Sequence, residues 1–241
     1  MIRRIFLTAC IALLPVAAAL AQTSADTASL TARQQSIVKI SAYTGLGDLD
    51  QLKPALASAL NCGMTVNETR EVLIHTYAYC GFPRCLRALQ TFIDVLAERK
   101  AKGIVDVTGR DASPVTDSLS RYERGRNTLA EISGVPADAP KAAYAEFAPV
   151  IERFLKEHLF ADLFERDVIT TAERELATIS VISALGESVK PMLRGHLGIC
   201  KNLGYTQSQL NQALAIAHTI TCGGHGKQHK SHKNSIKQKR K

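Results

Sequence analysis

Glu71, His75 and Tyr79 stand four residues apart along the chain. On one face of a helix that spacing presents a carboxylate, an imidazole and a phenol. A carboxylate can fix the tautomer of an imidazole and leave its second nitrogen to move protons near neutral pH. The plain alternative is a polar stripe where two helices pack. Directly after it runs Cys80-Gly81-Phe82-Pro83-Arg84-Cys85. The glycine and proline should break the helix, because proline disfavours helical geometry at the residue before it and suits a first helical turn. Cys80 would then close one helix and Cys85 enter the next. In an unbroken helix residues five apart point about 140° away from each other, so the corner is what makes a bridge between the two sulfurs geometrically feasible. A helix N-terminus and the Arg84 charge would both lower the Cys85 thiol pKa and favour thiolate. A static disulfide and two merely packed small residues are the other readings of the pair.

The elements that must position these residues come in two copies. Segments 30–82 and 169–223 share an order of signals. Each opens with a threonine and an apolar helix ending on Leu46-Gly47 or Leu185-Gly186. Each has a second helix closing on Asn61-Cys62-Gly63 or Asn202-Leu203-Gly204, with glycine at the helix C′ position. A capping box, Thr65…Glu68 or Thr206…Gln209, starts the third. Leu86, Leu89, Ile93 and Leu96 are expected to form one apolar stripe, as are Leu210, Ala213, Leu214 and Ala217, while Ile151, Leu155 and Leu159 begin another. Strand-like alternation is confined to Ile104-Val105-Asp106-Val107. The expected fold is all-α. Residues 28–100 form a first repeat, 101–165 a linker with connecting helices, and 166–222 a second repeat.

The ends carry other signals. Arg3 and Arg4 precede an apolar run to Leu20 and a small-residue cleavage site, so residues 1–21 read as a signal peptide and the mature chain as periplasmic or secreted, without a membrane span. Residues 223–241 are rich in Lys, His and Gly and are expected to be disordered. Seven basic residues of that tail and two of the leader account for the whole net charge of +8. The body is near neutral and presents no basic face for nucleic acid. Cys222, His225, His229 and His232 are good metal-ligand types for zinc, copper or nickel. Without a rigid frame such a tail binds weakly, and a solvated basic tail is the simpler reading. Loss of the leader leaves five cysteines, so at least one is free or paired between chains. Cys62 and Cys200 fall near helix ends and are expected to pack. Asn67-Glu68-Thr69 matches a glycosylation acceptor but lies at a helix start.

Thr65…Glu68…Glu71…His75…Tyr79-Cys80-Gly81-Phe82-Pro83…Ala88-Leu89 resembles the core signature of carboxymuconolactone decarboxylase-like proteins. Arg174-Glu175…Gly195-His196 and Asn202-Leu203-Gly204 resemble a second copy of the module. The resemblance implies an all-helical, tandem alkylhydroperoxidase D-like fold that assembles into trimers or hexamers. Cys80 follows Glu68 by the interval of the peroxidase group's acid and first redox cysteine, but the second cysteine is displaced to Cys85 and Arg87 replaces the following His. Ala55 stands where repeat 2 has His196, and Ile216 where repeat 1 has His75. Either repeat 2 is structural or one pocket draws on both.

The leading expectation is an exported thiol peroxidase, peroxiredoxin-like and without a cofactor. Cys80 and Cys85 would act as attacking and resolving thiols, assisted by Glu68, Glu71 and His75, with a protein thiol reductant as partner. Tyr79, Arg84 and His196 would bind the small substrate, a peroxide or a small carboxylic acid. No metal is assigned to this site. Glu68 is also the N3 member of its capping box, about 18 Å along the helix from Cys80. The alternatives are a cofactor-free lyase acting on a small carboxylated lactone, with His75 and Glu71 moving protons and an arginine clamping the carboxylate, and a non-catalytic oligomeric binding protein.

Overall fold

The computed structural model describes residues 28–238, with side chains described through residue 223. The expected leader lies outside the described residues. The elements are α1 (Ala32–Leu46), α2 (Leu49–Asn61), α3 (Val66–Ala101), α4 (Arg121–Ser133), α5 (Ala143–Phe147), α6 (Pro149–Phe154), a π-helical segment (Leu155–Leu163), α7 (Thr171–Leu185), a 3-10 turn (Glu187–Val189), α8 (Lys190–Asn202) and α9 (Gln207–Gln238). Among the described residues there is no strand, and the fold is all-α with two like modules in tandem, α1–α3 and α7–α9.

The repeat signals do what their local chemistry dictates. Thr31, Thr65 and Thr170 each accept from an N3 amide while the N3 side chain returns to the cap amide. Thr206 and Gln209 form the same reciprocal pair, at 3.0 and 3.2 Å. Gly63 and Gly204 share φ +95 at the matching corner. The two modules then pack through each other. α1 lies against α7, α3 crosses onto α7, and α9 crosses onto α1. One apolar core runs through both, with Ile37, Ile40, Leu52 and Leu73 joined by Leu176, Ile179 and Leu210, all fully buried.

The connecting segment forms a second, smaller core. Ile132, Leu159, Phe160 and Phe164 pack together and cover Tyr77 and Tyr79 of α3. Residues 104–107 are not a strand. They dock on the start of α3, where the Val66 and Asn67 amides donate to the Val107 and Thr108 carbonyls at 2.9 Å. The Asn67 amide side chain donates to the Gly109 and Arg110 carbonyls and is buried, so the acceptor motif there serves a turn.

Two expectations are corrected. The buried stripe after the α3 break is Cys85, Ala88, Phe92 and Val95, one residue out of phase with the expected one, while Leu86 and Ile93 are each 58% exposed. The helix carries adjacent apolar stripes and docks through the one with the smaller first residues. Ile151 is likewise exposed, and of its stripe only Leu159 is buried. α9 is described through Gln238. No helix among the described residues is long and apolar enough to cross a membrane.

Candidate active site

α3 delivers Glu71, His75 and Tyr79 to one side, facing α7. Glu71 is buried and its carboxylate accepts from Arg166 Nε at 2.8 Å, Arg166 Nη2 at 3.0 Å and Arg174 Nη2 at 2.8 Å. These two guanidinium groups outweigh the burial that opposes ionisation and hold the carboxyl below its usual range. Glu71 therefore does not orient His75, as the spacing suggested. It neutralises Arg174, which is itself fully buried on α7.

Arg174 and Thr178 orient His75 instead. Thr178 donates its hydroxyl proton to the Arg174 carbonyl at 2.9 Å, so its oxygen accepts from His75 Nε2 at 2.9 Å. The Nδ1 lone pair then faces Arg174 Nη1 at 3.5 Å. This assigns the Nε2–H tautomer. Burial, then the Arg174 charge, push the His75 pKa well below its ordinary 6.5, and the ring is neutral at pH 7. Tyr79 and Phe164 flank it at ring distances of 5.5 and 5.3 Å.

A second imidazole completes the arrangement. His196, on α8, meets the buried Glu175 carboxylate of α7, with Nδ1 and Oε2 2.8 Å apart. Its ring stands edge-on to Tyr79 at 5.8 Å, and its side chain is 17% exposed. A carboxylate on Nδ1 is the arrangement that frees Nε2 as a base. Three buried polar atoms beside it have no hydrogen-bond partner within the protein: Tyr79 Oη, Arg174 Nε and Glu175 Oε1. Tyr79 Oη lies near Thr178 and Glu175 without a well-formed bond to either, and burial with the Glu175 charge drives its pKa well up. Orphan donors and an orphan acceptor beside a histidine are unusual in a folded interior and mark a place that a polar ligand or water completes.

The thiols occupy the neighbouring corner. Gly81 has φ 79 and ψ 162, so the helix breaks there as expected. Cys80 and Cys85 are both free. Cys85 is buried and donates to the Leu73 carbonyl at 3.3 Å. Cys85 shifts the opposite way from the expectation, and Cys80 rises with it. Burial raises Cys80 despite the opposing Thr76 hydrogen bond and Arg84 charge, and pushes Cys85 up to about 11. At Cys80 the Arg84 charge acts in the expected direction but is weaker than desolvation at a buried sulfur.

Glu68 stays at the far end of its helix, closing the Thr65 capping box and bridging Arg33 Nη1 at 3.0 Å. It does not meet either thiol. Arg84 is exposed on the corner. Cys200 packs in the core as expected, whereas Cys62 is exposed and lies 3.4 Å from Ser36 Oγ. Among the described residues no group of three or more His, Cys, Asp or Glu side chains converges as a metal set.

Sequence reasoning missed Arg166, Arg174, Glu175 and Thr178 as site members. The one available signal was Arg174-Glu175 placed inside the otherwise apolar α7. The pseudo-equivalent positions, on α9 of the second repeat and α2 of the first, carry no imidazole. There Ile216 and Ala55 replace His75 and His196, and Gln212, in the place of Glu71, accepts from the Leu30 amide at 2.7 Å. The polar cluster around His75 and His196 is built from α3 of the first repeat and α7 and α8 of the second. Residues 14–94 and 149–226 match the model of the carboxymuconolactone decarboxylase family. Between them the two matches contain every residue of the cluster. No curated protein matches the chain.

Proposed function

The chain belongs to the carboxymuconolactone decarboxylase family, and on that premise we propose that it is a lyase moving protons on a small carboxylated substrate. The observation that carries this reading is the His196–Glu175 dyad beside the orphan Tyr79 Oη and Arg174 Nε. His196 Nε2 is the base and, once protonated, the acid. Tyr79 O–H and Arg174 stabilise negative charge on the substrate carbonyl oxygen as the carbon–carboxylate bond breaks. The carboxylate leaves as carbon dioxide, its bonding electrons pass into the enolate, and a proton from the histidine closes the carbon. Glu71, Arg166, His75 and Thr178 hold Arg174 in place.

Unsaturated γ-lactones carrying a ring carboxylate are the test substrates, with carbon dioxide release and deuterium uptake from heavy water as readouts. His196→Ala should lower kcat by roughly 100- to 10,000-fold, whereas Cys80→Ser/Cys85→Ser should retain the rate. Full activity in the His196 variant, or no turnover and no exchange on any such lactone, overturns the reading.

The thiol-peroxidase reading keeps one specific support: two free sulfurs flanking the Gly81 break. Peroxide consumption lost in Cys80→Ser, with Cys85→Ser trapping a sulfenic acid, would put it first. Self-association as a trimer or hexamer belongs to the same proposal. Phe82, Leu86 and Ile93 leave an apolar face exposed at the corner beside the site, and light scattering of the Leu86→Glu/Ile93→Glu variant measures whether that face holds an oligomer together. Export is the remaining element, checked by the N-terminus of the protein recovered from a periplasmic fraction.

A further inference from the structure

His196 is reachable from solvent, but the groups assigned to the substrate oxygen are not. Tyr79 Oη, Arg174 Nε and Glu175 Oε1 are buried, and His75 beside them is fully enclosed. A substrate that meets Tyr79 and Arg174 can arrive only when something covering them moves. That cover is the connecting segment. Phe164 lies edge-on to His75 at 5.3 Å, and Leu159, Phe160 and Leu163 pack with it over Ile74, Tyr77 and Tyr79.

The cover holds together as one piece. α4 and the π-helical segment pack chiefly against each other. Their charged groups are satisfied within the pair: Arg124 Nε donates to Glu165 at 2.8 Å, and Lys156 Nζ donates to Tyr122 Oη at 3.2 Å. Gly125 of α4 is buried against the π turn. A methyl there would collide with the Lys156 carbonyl and stand 3.1 Å from the Ala161 amide nitrogen. Those are the two groups that an i→i+5 turn pairs, so the absent side chain lets α4 seat directly on the π hydrogen bonds. Nine residues form this segment, a long run for a form met mostly as single turns at functional sites.

Its attachment to the two modules is thin by comparison. Among the described residues, the hydrogen bonds between 117–165 and α1–α3 or α7–α9 come from Asn202 of α8. Its amide nitrogen donates to the Ser133 carbonyl at 2.9 Å and to the Ile132 carbonyl at 3.3 Å. The rest is apolar contact with α3 and α8. We propose that α4 and the π-helical segment form a lid over the Tyr79–Arg174 cluster, opening as a unit to admit substrate and latched by Asn202. The lid rests on the lyase reading only for what it admits, since opening is measured without substrate or turnover.

The test is hydrogen exchange read by mass spectrometry on the full-length chain, with diethyl pyrocarbonate labelling of His75. Peptides from Arg121–Ser133 and Leu155–Leu163 should exchange through one common opening, at least about 100-fold faster than α1 and α7. Asn202→Ala, at an exposed position, removes the latch. It should raise lid exchange and His75 labelling together by about tenfold, leaving α1 and α7 unchanged. Lid peptides that exchange only along with α1 and α7 overturn the proposal. So does an Asn202 variant that matches the wild type, or one whose lid exchanges faster while His75 labels at the same rate. A chain inert on every lactone can still pass this test, and one with an active His196 can fail it.

Discussion

Arg174 satisfies two groups at once, the Glu71 carboxylate and the His75 lone pair, from a fully buried position. Such a charge is tolerated only while its anion is present. Glu71→Gln keeps the shape but strands the cation. It should cost about 3–5 kcal/mol, read from urea unfolding. The pH dependence follows from the same residues. The folded His75 pKa lies well below 6.5, so only the unfolded chain takes up that proton on mild acidification. Stability from this group is complete above 6.5 and falls below it at up to about 1.4 kcal/mol per pH unit. Glu71, whose folded pKa lies below 4.5, adds stability above 4.5 that is lost as pH falls through its folded value. Urea unfolding at pH 7.5, 6 and 5 should show the first limb in the wild type, and His75→Asn, less stable throughout, should be flat across it. A parallel decline in the variant would mean that His75 titrates normally.

α3 owes its shape to one residue of helix-breaking geometry. Gly81 at φ 79 and ψ 162 occupies a region that is essentially glycine's alone. A methyl there would meet only Pro83 Cδ at an ordinary 3.6 Å. The cost of Gly81→Ala is therefore backbone strain, about 1–3 kcal/mol, without a steric clash. The corner brings Cys85 to the Leu73 carbonyl, so the variant should also label faster at Cys85 with iodoacetamide at pH 7.5, scored by peptide mass spectrometry. Unchanged labelling with unchanged stability would mean the corner is held by the surrounding core and not by Gly81. At this scale the sequence was readable, because a capping box, a C′ glycine and a Gly-x-Pro break act through neighbours in the chain. Thr65, Gly63 and Gly81 all do what their types require. The partners across helices were not readable. Glu71 four residues before His75 suggested a pair, and nothing local reveals that Arg174, about a hundred residues later, takes the carboxylate. The thiols failed for the same reason: burial of Cys85 depends on how α3 docks, and it outweighs the local dipole and charge that the sequence displays.

The whole molecule is two modules that do not complete themselves. α3 needs α7 for its polar partners, and α1 needs α7 to cover Ile37 and Ile40. The first repeat alone would keep Glu71, His75 and Tyr79 while losing Arg174, Glu175 and His196, and would expose an apolar face that the full chain buries. Each uncovered isoleucine or leucine forfeits roughly 1.5–3 kcal/mol, and a handful of them matches the 5–15 kcal/mol that holds a typical domain folded. Two fragments expressed separately, 28–118 carrying the first repeat and 119–223 carrying the connecting helices and the second, are therefore expected to lack a cooperative transition, and mixing them should restore one. The intact chain should melt in a single calorimetric step whose van't Hoff and calorimetric enthalpies agree. Two resolved transitions, or a first repeat that unfolds cooperatively by itself, would make the modules independent. The polar cluster would then be a contact between two finished domains, when its residues argue that it is the inside of one.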